Sequence, residues 1–308
     1  MQVFKGLSRW RPPTQPAAVA IGNFDGVHLG HQKILRSLVR KAESRQLCPL
    51  VLTFSPHPER VLGRSRVAMI QTLAQRLAQM QALGVQAVIV TPFDRRFSSL
   101  SGEEFVQQII IRYLRAEAVI VGENFRFGRA RSGTVADLRR LGLKFGFSID
   151  PIPAVLYRGQ VISSSVIRRL LFQGQVETAN ALLGRPYEIE GTVVKGASRG
   201  TSLGFPTANI QTSNEIKPAG VFLTEAQISR SKYPSVTNIG TRPTFGGHTL
   251  EIESFLFDFQ LNAYRKKIRL RFLKKLRDER KFRTAQVLVK QIRRDIAAAE
   301  EFFAHGKD

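Results

Sequence analysis

Two histidines three residues apart, His28 and His31, close the run GNFDGVHLGH, in which Gly22, Gly26 and Gly30 recur at every fourth position. Imidazole N–H groups, and a backbone that glycine leaves open to close approach, are what the phosphates of a nucleotide need. The run before it, AAVAI from Ala17 to Ile21, reads as a short buried strand. The run after it carries Ile34, Leu35, Leu38 and Val39 at helical spacing. The glycines therefore fall in a strand-to-helix turn, where the unpaired N–H groups and the dipole of the starting helix favour the same anion. A glycine-rich turn with two solvated histidines would share this spacing. The coincidence of strand, glycines and helix start favours the phosphate reading.

The elements that must position this loop follow an α/β pattern. From Ala17 to about Gly174 the strand candidates AAVAI, PLVLTF, QAVIV, AEAVIV and SIDPIPAV alternate with helical patterns. Those are the stretch after His31, TLAQRLAQMQAL, a segment opened by Ser101 with Glu104 as a capping box, and TVADLRRL. Such alternation predicts a mostly parallel sheet covered on both faces, with ligands beyond the carboxyl ends of its strands. Asn23 to His31, Ser55 to Pro58 and Gly122 to Gly128 would fall there. After Pro186 the pattern changes. EIEGTVV, GVFLTEAQI, YPSVTNIG, TLEIESFLFDF and KKIRLRF read as strands without room for crossover helices, hence an antiparallel barrel or compact sheet, closed by the helical TAQVLVKQIRRDIAAAEEFFA. The expected domains are residues 1–186 and 187–308, the boundary following the helical VETANALLG.

Composition narrows the class. The chain has 308 residues, room for about two domains. No apolar run approaches the roughly 20 residues that cross a bilayer. The single Cys48 excludes an intrachain disulfide and fits a reducing, cytoplasmic compartment. The net charge of +23 peaks in RKKIRLRFLKKLRDERKFR, Arg265 to Arg283. Clustered cations attract nucleic acid, but here they are spaced around Ile268, Leu270, Phe272, Leu273 and Leu276, as on the solvated faces of a strand and a helix. A positive field also draws in small polyphosphates such as ATP. Nucleic acid is the weaker expectation and a membrane partner is not expected; a homo-oligomer is left open.

With GNFDGVHLGH, TFSPHP, GENFRFG, SSSVIR and GFPTAN in one order on one chain, the sequence resembles the prokaryotic bifunctional FAD synthetases, from about Ala17 to Ala298. That resemblance implies an N-terminal, nucleotidylyltransferase-type parallel α/β domain that adenylylates FMN, releasing pyrophosphate, then a riboflavin-kinase-like antiparallel β-barrel with a C-terminal helix that phosphorylates riboflavin. Riboflavin, FMN and ATP are the implied small-molecule partners, with ATP as co-substrate and Mg²⁺ as cofactor. By the same resemblance His28 and His31 hold the ATP phosphates, and Asn23, Phe24 and Asp25 shape their loop. Asn124 contacts nucleotide or flavin phosphate. Ser164 and Ser165 begin a helix facing phosphate, and Arg168 supplies a cation one turn later. His57 and Pro58 could serve as a rigid turn or touch the ligand. Phe125 and Phe127 are expected to pack rather than stack on a ligand. In the second half Gly196 and Gly200 belong to a phosphate-covering loop, Thr207 and Asn209 of PTAN hold Mg²⁺ and ATP, and Glu253 is the base that accepts the riboflavin 5′-hydroxyl proton. Without the resemblance, PTAN reads as a turn.

Three positions depart from the family pattern: Thr201 stands where arginine is common, with Arg199 a substitute, Tyr264-Arg265 replaces a Tyr-Gly pair, and Phe222 replaces a tyrosine. Two other functions compete with the main reading. One is a nucleotidylyltransferase for another phosphorylated acceptor, which the His28–His31 loop alone does not exclude. The other is a basic nucleic-acid-binding protein on the same scaffold, which would need aromatic residues interleaved with the basic run.

Overall fold

The structure, a computed structural model, describes residues 1–11, 15–63, 67–196, 204–244, 247–259 and 262–305, with the side chains of 242–249 excepted. It divides into two compact units, Met1–Ser164 and Ser165–Asp308.

In the first unit, strands β1 (Gln2–Lys5), β2 (Ala17–Ile21), β3 (Cys48–Phe54), β4 (Ala87–Thr91), β5 (Ala116–Gly122) and β6 (Ser148–Ile152) form one sheet in the order β1-β4-β3-β2-β5-β6. Every pair is parallel. Strands buried on both faces read as continuous apolar runs, and successive residues feed opposite cores. Ala17, Val19 and Ile21 enter a core with Leu50, Ile89 and Val119. Ala18 and Ala20 enter a second with Val51, Val88 and Ile120, covered by Leu35 and Leu38 of α1 (Leu29–Ser44) and Met80 of α3 (Leu73–Ala82). Between them in sequence lies the short α2 (Pro58–Val61). Chain direction across the sheet reverses at β2, with β3 to one side and β5 to the other, so the loop after β2 lies at the switch point where such sheets bind ligands.

Two features of this unit lie outside the sequence reading. The edge strand β1 is four mostly exposed residues with no periodic signal. The Ser101–Glu104 capping box is present as expected, after α4 (Arg95–Ser99), but the helix it opens is α5 (Gly102–Glu104) continuing as a π-helix over Phe105–Tyr113. The wider turn buries Phe105, Val106, Ile109 and Ile110 together, a spacing that an α-helical pattern also allows. Helix α6 (Val135–Phe145) and the hairpin β7 (Leu156–Tyr157) and β8 (Gln160–Val161) complete the unit.

Helix α7 (Ser164–Phe172) starts on the last residue of that unit, and α8 (Val176–Leu183) follows it. The second unit is built on a closed antiparallel barrel of β9 (Tyr187–Val194), β10 (Ala208–Thr212), β11 (Gly220–Ile228), β12 (Ser231–Thr244), β13 (Gly247–Leu256) and β14 (Lys267–Arg277), in the order β10-β13-β12-β11-β14-β9. β9 also pairs with β10, which closes the circle, and α9 (Ala285–His305) ends the described chain. Inward positions alternate along each strand: Ile189, Ile210, Ile252, Leu270 and Phe272 fill the interior. Phe222 is fully buried there, edge-on to Phe272 at 5.4 Å, so the missing tyrosine hydroxyl leaves no polar group to satisfy.

The compact division falls before the expected boundary at 186 because α8 belongs to the barrel. Asn180 of α8 donates to the Phe272 carbonyl (2.8 Å) and accepts from Tyr187 N–H (2.7 Å), while the Glu177 carboxylate accepts from Lys275 N–H (3.2 Å). The basic run is neutralised in part within the barrel wall: Arg269 pairs with Glu190 at 2.8 Å, and Arg271 with Glu188 (3.1 Å) and Glu225 (3.2 Å). Register shifts in the β14–β11 pairing then take the strand past the simple alternation, and Arg277 meets the buried Asp295 of α9 at 2.8 Å.

Candidate active sites

The loop after β2 is backbone held under strain. Phe24 (φ 50°) and Val27 (φ 39°) are left-handed beside Gly26 (φ 82°), a conformation that a β-branched residue adopts only when its surroundings dictate it. Those surroundings are buried polar groups. Arg76 of α3, only 2% exposed, donates to the carbonyls of Asn23 and Phe54, and Thr53 donates to the Asn23 carbonyl at 3.2 Å. The Asp25 carboxylate, 1% exposed, accepts from the backbone of Ile70 (3.1 Å) and Gln71 (3.4 Å). Ser164 donates its hydroxyl to the Asp25 carbonyl at 2.9 Å. Asp25 thus braces the loop from within. Burial pushes the Arg76 guanidinium below the usual arginine range, and the nearby Asp25 charge opposes that shift. Nothing in the sequence marked Arg76, which stands in TLAQRLAQMQAL like any cation on an amphipathic helix.

His28 caps α1. Its Nδ1 accepts from His31 N–H at 3.4 Å, so the neutral ring carries its proton on Nε2, the donor it can offer an anion. The two imidazoles stack with centroids 3.6 Å apart, and His31 meets the edge of Phe24 at 5.3 Å. Gly30 lies close against this stack. A Cβ there would lie 3.1 Å from His28 Cε1, and one at Gly22 would lie 3.3 Å from the Phe24 ring.

Beside the loop is a cavity of about 300 Å³ lined by Gly22, Asn23, His57 and Asn124 and by a group of phenylalanines. The Asn23 amide meets His57 Nε2 at 3.1 Å. Phe127 is buried core, as expected, and Phe125 stacks on it at 5.9 Å. Phe93 and Phe97 pack edge-on against Phe54, at 5.5 and 5.3 Å, to form the rest of the aromatic wall. Their spacing of four within FDRRF is a signal that the sequence reading did not use. Ser165 and Arg168 lie in the first turns of α7, in the second unit.

The barrel site is set by strand pairing. Asn209 of β10 lies directly opposite Glu253 of β13, which on its other side faces Asn238 of β12. Directly paired residues share a face, so these three form one row across three strands. It is the outward face, because the flanking Ile252 and Ser254 are buried inside. PTAN is therefore not a turn: Ala208 and Asn209 begin β10, because the edge of β13 offers them partners that the local sequence does not reveal.

Two cavities flank the row. One of about 450 Å³ is lined by Thr207, Asn238, Glu251, Glu253 and Phe255 and by apolar residues of α9. The other, about 290 Å³, is lined by Thr207, Asn209, Gly196 and Tyr264. Thr207 belongs to both. A Cβ on Gly196 would lie 2.0 Å from the Asn209 amide nitrogen, so any other residue there would displace the Asn209 side chain. Gly200, Arg199 and Thr201 lie outside the described residues.

A parallel α/β unit with a histidine-capped glycine loop at its switch point, joined to a barrel with a carboxylate set between two cavities, defines a two-part enzyme of nucleotide chemistry. Comparison with known proteins names it. A family model for FAD synthetase matches residues 11–166 and one for riboflavin kinase matches residues 183–303. The chain is 36% identical over 306 residues to a bifunctional riboflavin kinase/FMN adenylyltransferase of Haemophilus influenzae, covering 98% of this chain and 99% of that one. It is 38% identical over 297 residues to one of Bacillus subtilis, covering 94% and 93%. Among solved structures, one described as a macrolide-efflux protein from Streptococcus pneumoniae superposes with a TM-score of 0.89 at 28% identity, covering 97% of this chain and 99% of that one. No helix among the described residues is long and apolar enough to cross a membrane. The chain belongs to the bifunctional riboflavin kinase/FMN adenylyltransferase family, with ATP as co-substrate.

Proposed function

We propose that the two activities are divided between residues 1–186, which adenylylate FMN, and residues 187–308, which phosphorylate riboflavin. In the first half His28, His31 and the loop from Gly22 to Gly30 hold the ATP phosphates, aided by Asn124, Ser164, Ser165 and Arg168. The FMN phosphate oxygen attacks the α-phosphorus and pyrophosphate leaves, a reaction that needs alignment and charge stabilisation more than a covalent nucleophile. In the second half the smaller cavity takes ATP and the larger, apolar one takes the flavin ring. Glu253 accepts the proton of the 5′-hydroxyl as that oxygen attacks the γ-phosphorus, the β–γ bridge bond breaks and ADP leaves. The Thr207 hydroxyl and Asn209 amide oxygen, covered by Gly196, are the hard oxygen donors that Mg²⁺ prefers. When bound, Mg²⁺ would neutralise phosphate charge there. The observation that carries the reading is the row Asn209–Glu253–Asn238, with Thr207 lining both cavities beside it. The buried Cys48 thiol, which burial pushes above its ordinary range, fits the reducing cytoplasm.

The test is a pair of fragments given riboflavin, ATP and Mg²⁺. Residues 165–308, which keep α8, are expected to make FMN and no FAD. Residues 187–308 are expected to do the same with lower stability, since they lose the Asn180 and Glu177 bonds to the barrel. A folded 165–308 fragment inert toward riboflavin would overturn the assignment of the barrel site.

A further inference from the structure

The aromatic cavity of the first unit has a rim whose charges the reading above leaves without a task. Arg126 and Arg131 both line it, as do Asn23, His57 and Asn124. Neither guanidinium makes a hydrogen bond, ion pair or cation–π contact among the described residues. Both side chains are exposed and reach solvent at the cavity mouth, whereas Arg76, Arg269, Arg271 and Arg277 are engaged by carbonyls or carboxylates.

The loop that carries Arg131 is fixed at both ends. Phe127 and Gly133 pair across it as a two-residue bridge, with backbone bonds of 3.2 and 2.9 Å. A Cβ at Gly133 would lie 2.8 Å from the Phe127 ring, and one at Gly128 would lie 2.8 Å from the backbone nitrogen of Gly102. Arg129 N–H bonds the Leu100 carbonyl at 2.6 Å. Between these anchors Ala130 (φ 53°) and Arg131 (φ 60°) are both left-handed, which residues with a Cβ adopt only when the surroundings over-determine the backbone. A strained turn held this way, presenting an unpaired cation at a cavity mouth, is a device for meeting an anion.

The cavity says which anion. Its wall, with Phe54, Phe93, Phe97 and Phe105, suits a neutral planar ring, and Glu59 is its one acidic lining residue among those described. FMN and riboflavin share that ring and differ by a dianionic phosphate. His28 and His31 do not line the cavity and are assigned to the other anion, ATP. We propose that Arg131, with Arg126 beside it, binds the phosphate of FMN and makes the first unit select the phosphorylated flavin. The planar fork of a guanidinium matches two phosphate oxygens, which fixes the third as the attacking oxygen. This rests on the first unit being the site of adenylyl transfer to FMN.

The test uses the full chain with supplied FMN and ATP. Arg131→Gln should raise KM for FMN by about tenfold to a hundredfold, the worth of a charge-assisted hydrogen bond to a dianion, with KM for ATP within about twofold. Arg126→Gln should give a smaller rise, and Arg131→Lys should recover part of the loss by keeping the charge without the fork. Added KCl should raise KM for FMN less steeply in Arg131→Gln than in the unsubstituted chain. A kcat for adenylyl transfer at saturating FMN near that of the unsubstituted chain reports that the first unit of the variant is folded, which riboflavin phosphorylation by the second unit does not. An unchanged KM for FMN, or a KM for ATP that rises in its place, would overturn the proposal. If FMN affinity falls but Arg131→Lys recovers nothing and salt dependence is unaltered, the arginine shapes the cavity and the proposal also fails. A chain that makes no FAD even unsubstituted would bring down the underlying reading instead.

Discussion

The glycine loop after β2 and the polar row on the barrel place functional groups by opposite means. In the loop the backbone itself is unusual: left-handed Phe24 and Val27 are held by Arg76, Thr53, Asp25 and Ser164, and the histidine stack packs so closely on Gly30 that a side chain there would displace it. On the barrel the backbone is ordinary extended strand, and pairing alone aligns Asn209, Glu253 and Asn238. A site built from strained backbone should respond to small displacements anywhere in its support. A site built from register should tolerate such displacements and respond to the chemical identity of the aligned groups.

The largest expected effect follows from the second half of that contrast. Glu253→Gln keeps size and much of the hydrogen bonding but removes the proton acceptor, so riboflavin phosphorylation should fall by roughly 10²- to 10⁴-fold, the usual worth of a general base. Riboflavin and ATP affinities should stay within a few-fold, and adenylylation of supplied FMN should be untouched. Glu251, two residues back on the same outward face and lining the same cavity, is the control whose replacement should matter little. Loss of activity in Glu251→Gln but not in Glu253→Gln would mean that the base is the other carboxylate.

A smaller effect tests the first half. His28→Ala or His31→Ala should slow FAD formation from FMN by about 10²- to 10³-fold, as removal of a preorganised donor does, with riboflavin phosphorylation near normal. Gly30→Ala sharpens this, because both histidines remain and only the Cβ, 3.1 Å from His28 Cε1, displaces the ring. We expect about a tenfold loss, since even sub-ångström misplacement weakens an aligned reaction. The melting temperature should hardly change, alanine being the better helix former. Equal rates for Gly30→Ala and the unsubstituted chain would break the claim that the loop works by fine placement.

The same contrast explains what the sequence reveals of each site. Strained loops advertise themselves, because glycines and a following amphipathic helix are local features, and Gly22 to His31 could be read as a phosphate site from the residues alone. Its supports could not: Thr53 reaches the loop through the parallel pairing of β2 with β3, and Arg76 through the packing of α3 on the sheet, both of them non-local. The barrel row is less legible still. Asn209 in PTAN looks like turn chemistry until β13 supplies a partner, and Asn238 carries no local signal. Parallel-sheet strands were legible because burial on both faces makes them continuous apolar runs, whereas β1 lies at an edge and shows no such pattern. The early compact boundary was hidden for a related reason, since α8 reads as helix from either side and its non-local contacts with the barrel, the Asn180 and Glu177 bonds among them, carry no local signal.

The smallest effect concerns the one strained residue next to the barrel site that the sequence did flag. Arg265, where the family resemblance implies glycine, is left-handed (φ 63°) in the turn before β14, with its N–H bonded to the Val193 carbonyl at 2.9 Å and its guanidinium over the Tyr264 ring at 5.3 Å. A side chain in this conformation costs about 1 kcal/mol that glycine would not. Against that gain, Arg265→Gly loses an exposed cation–π contact worth about 0.5 kcal/mol and frees the unfolded chain. The unfolded-chain contribution of about 0.4 to 1 kcal/mol nearly cancels the remainder, so the net change should stay within about 0.5 kcal/mol of zero, read as a shift in the urea midpoint of the barrel. Arg265→Ala isolates the backbone contribution: it loses the same contact and keeps the strain but does not free the unfolded chain, so it should be less stable than Arg265→Gly by about 0.5 kcal/mol or less. Kinase rates should be alike in all three, because the turn lies outside the register that aligns Asn209 with Glu253. A kinase rate that instead tracks the residue at 265 would show that the barrel site, like the loop, depends on backbone placement, and the contrast between the two would collapse.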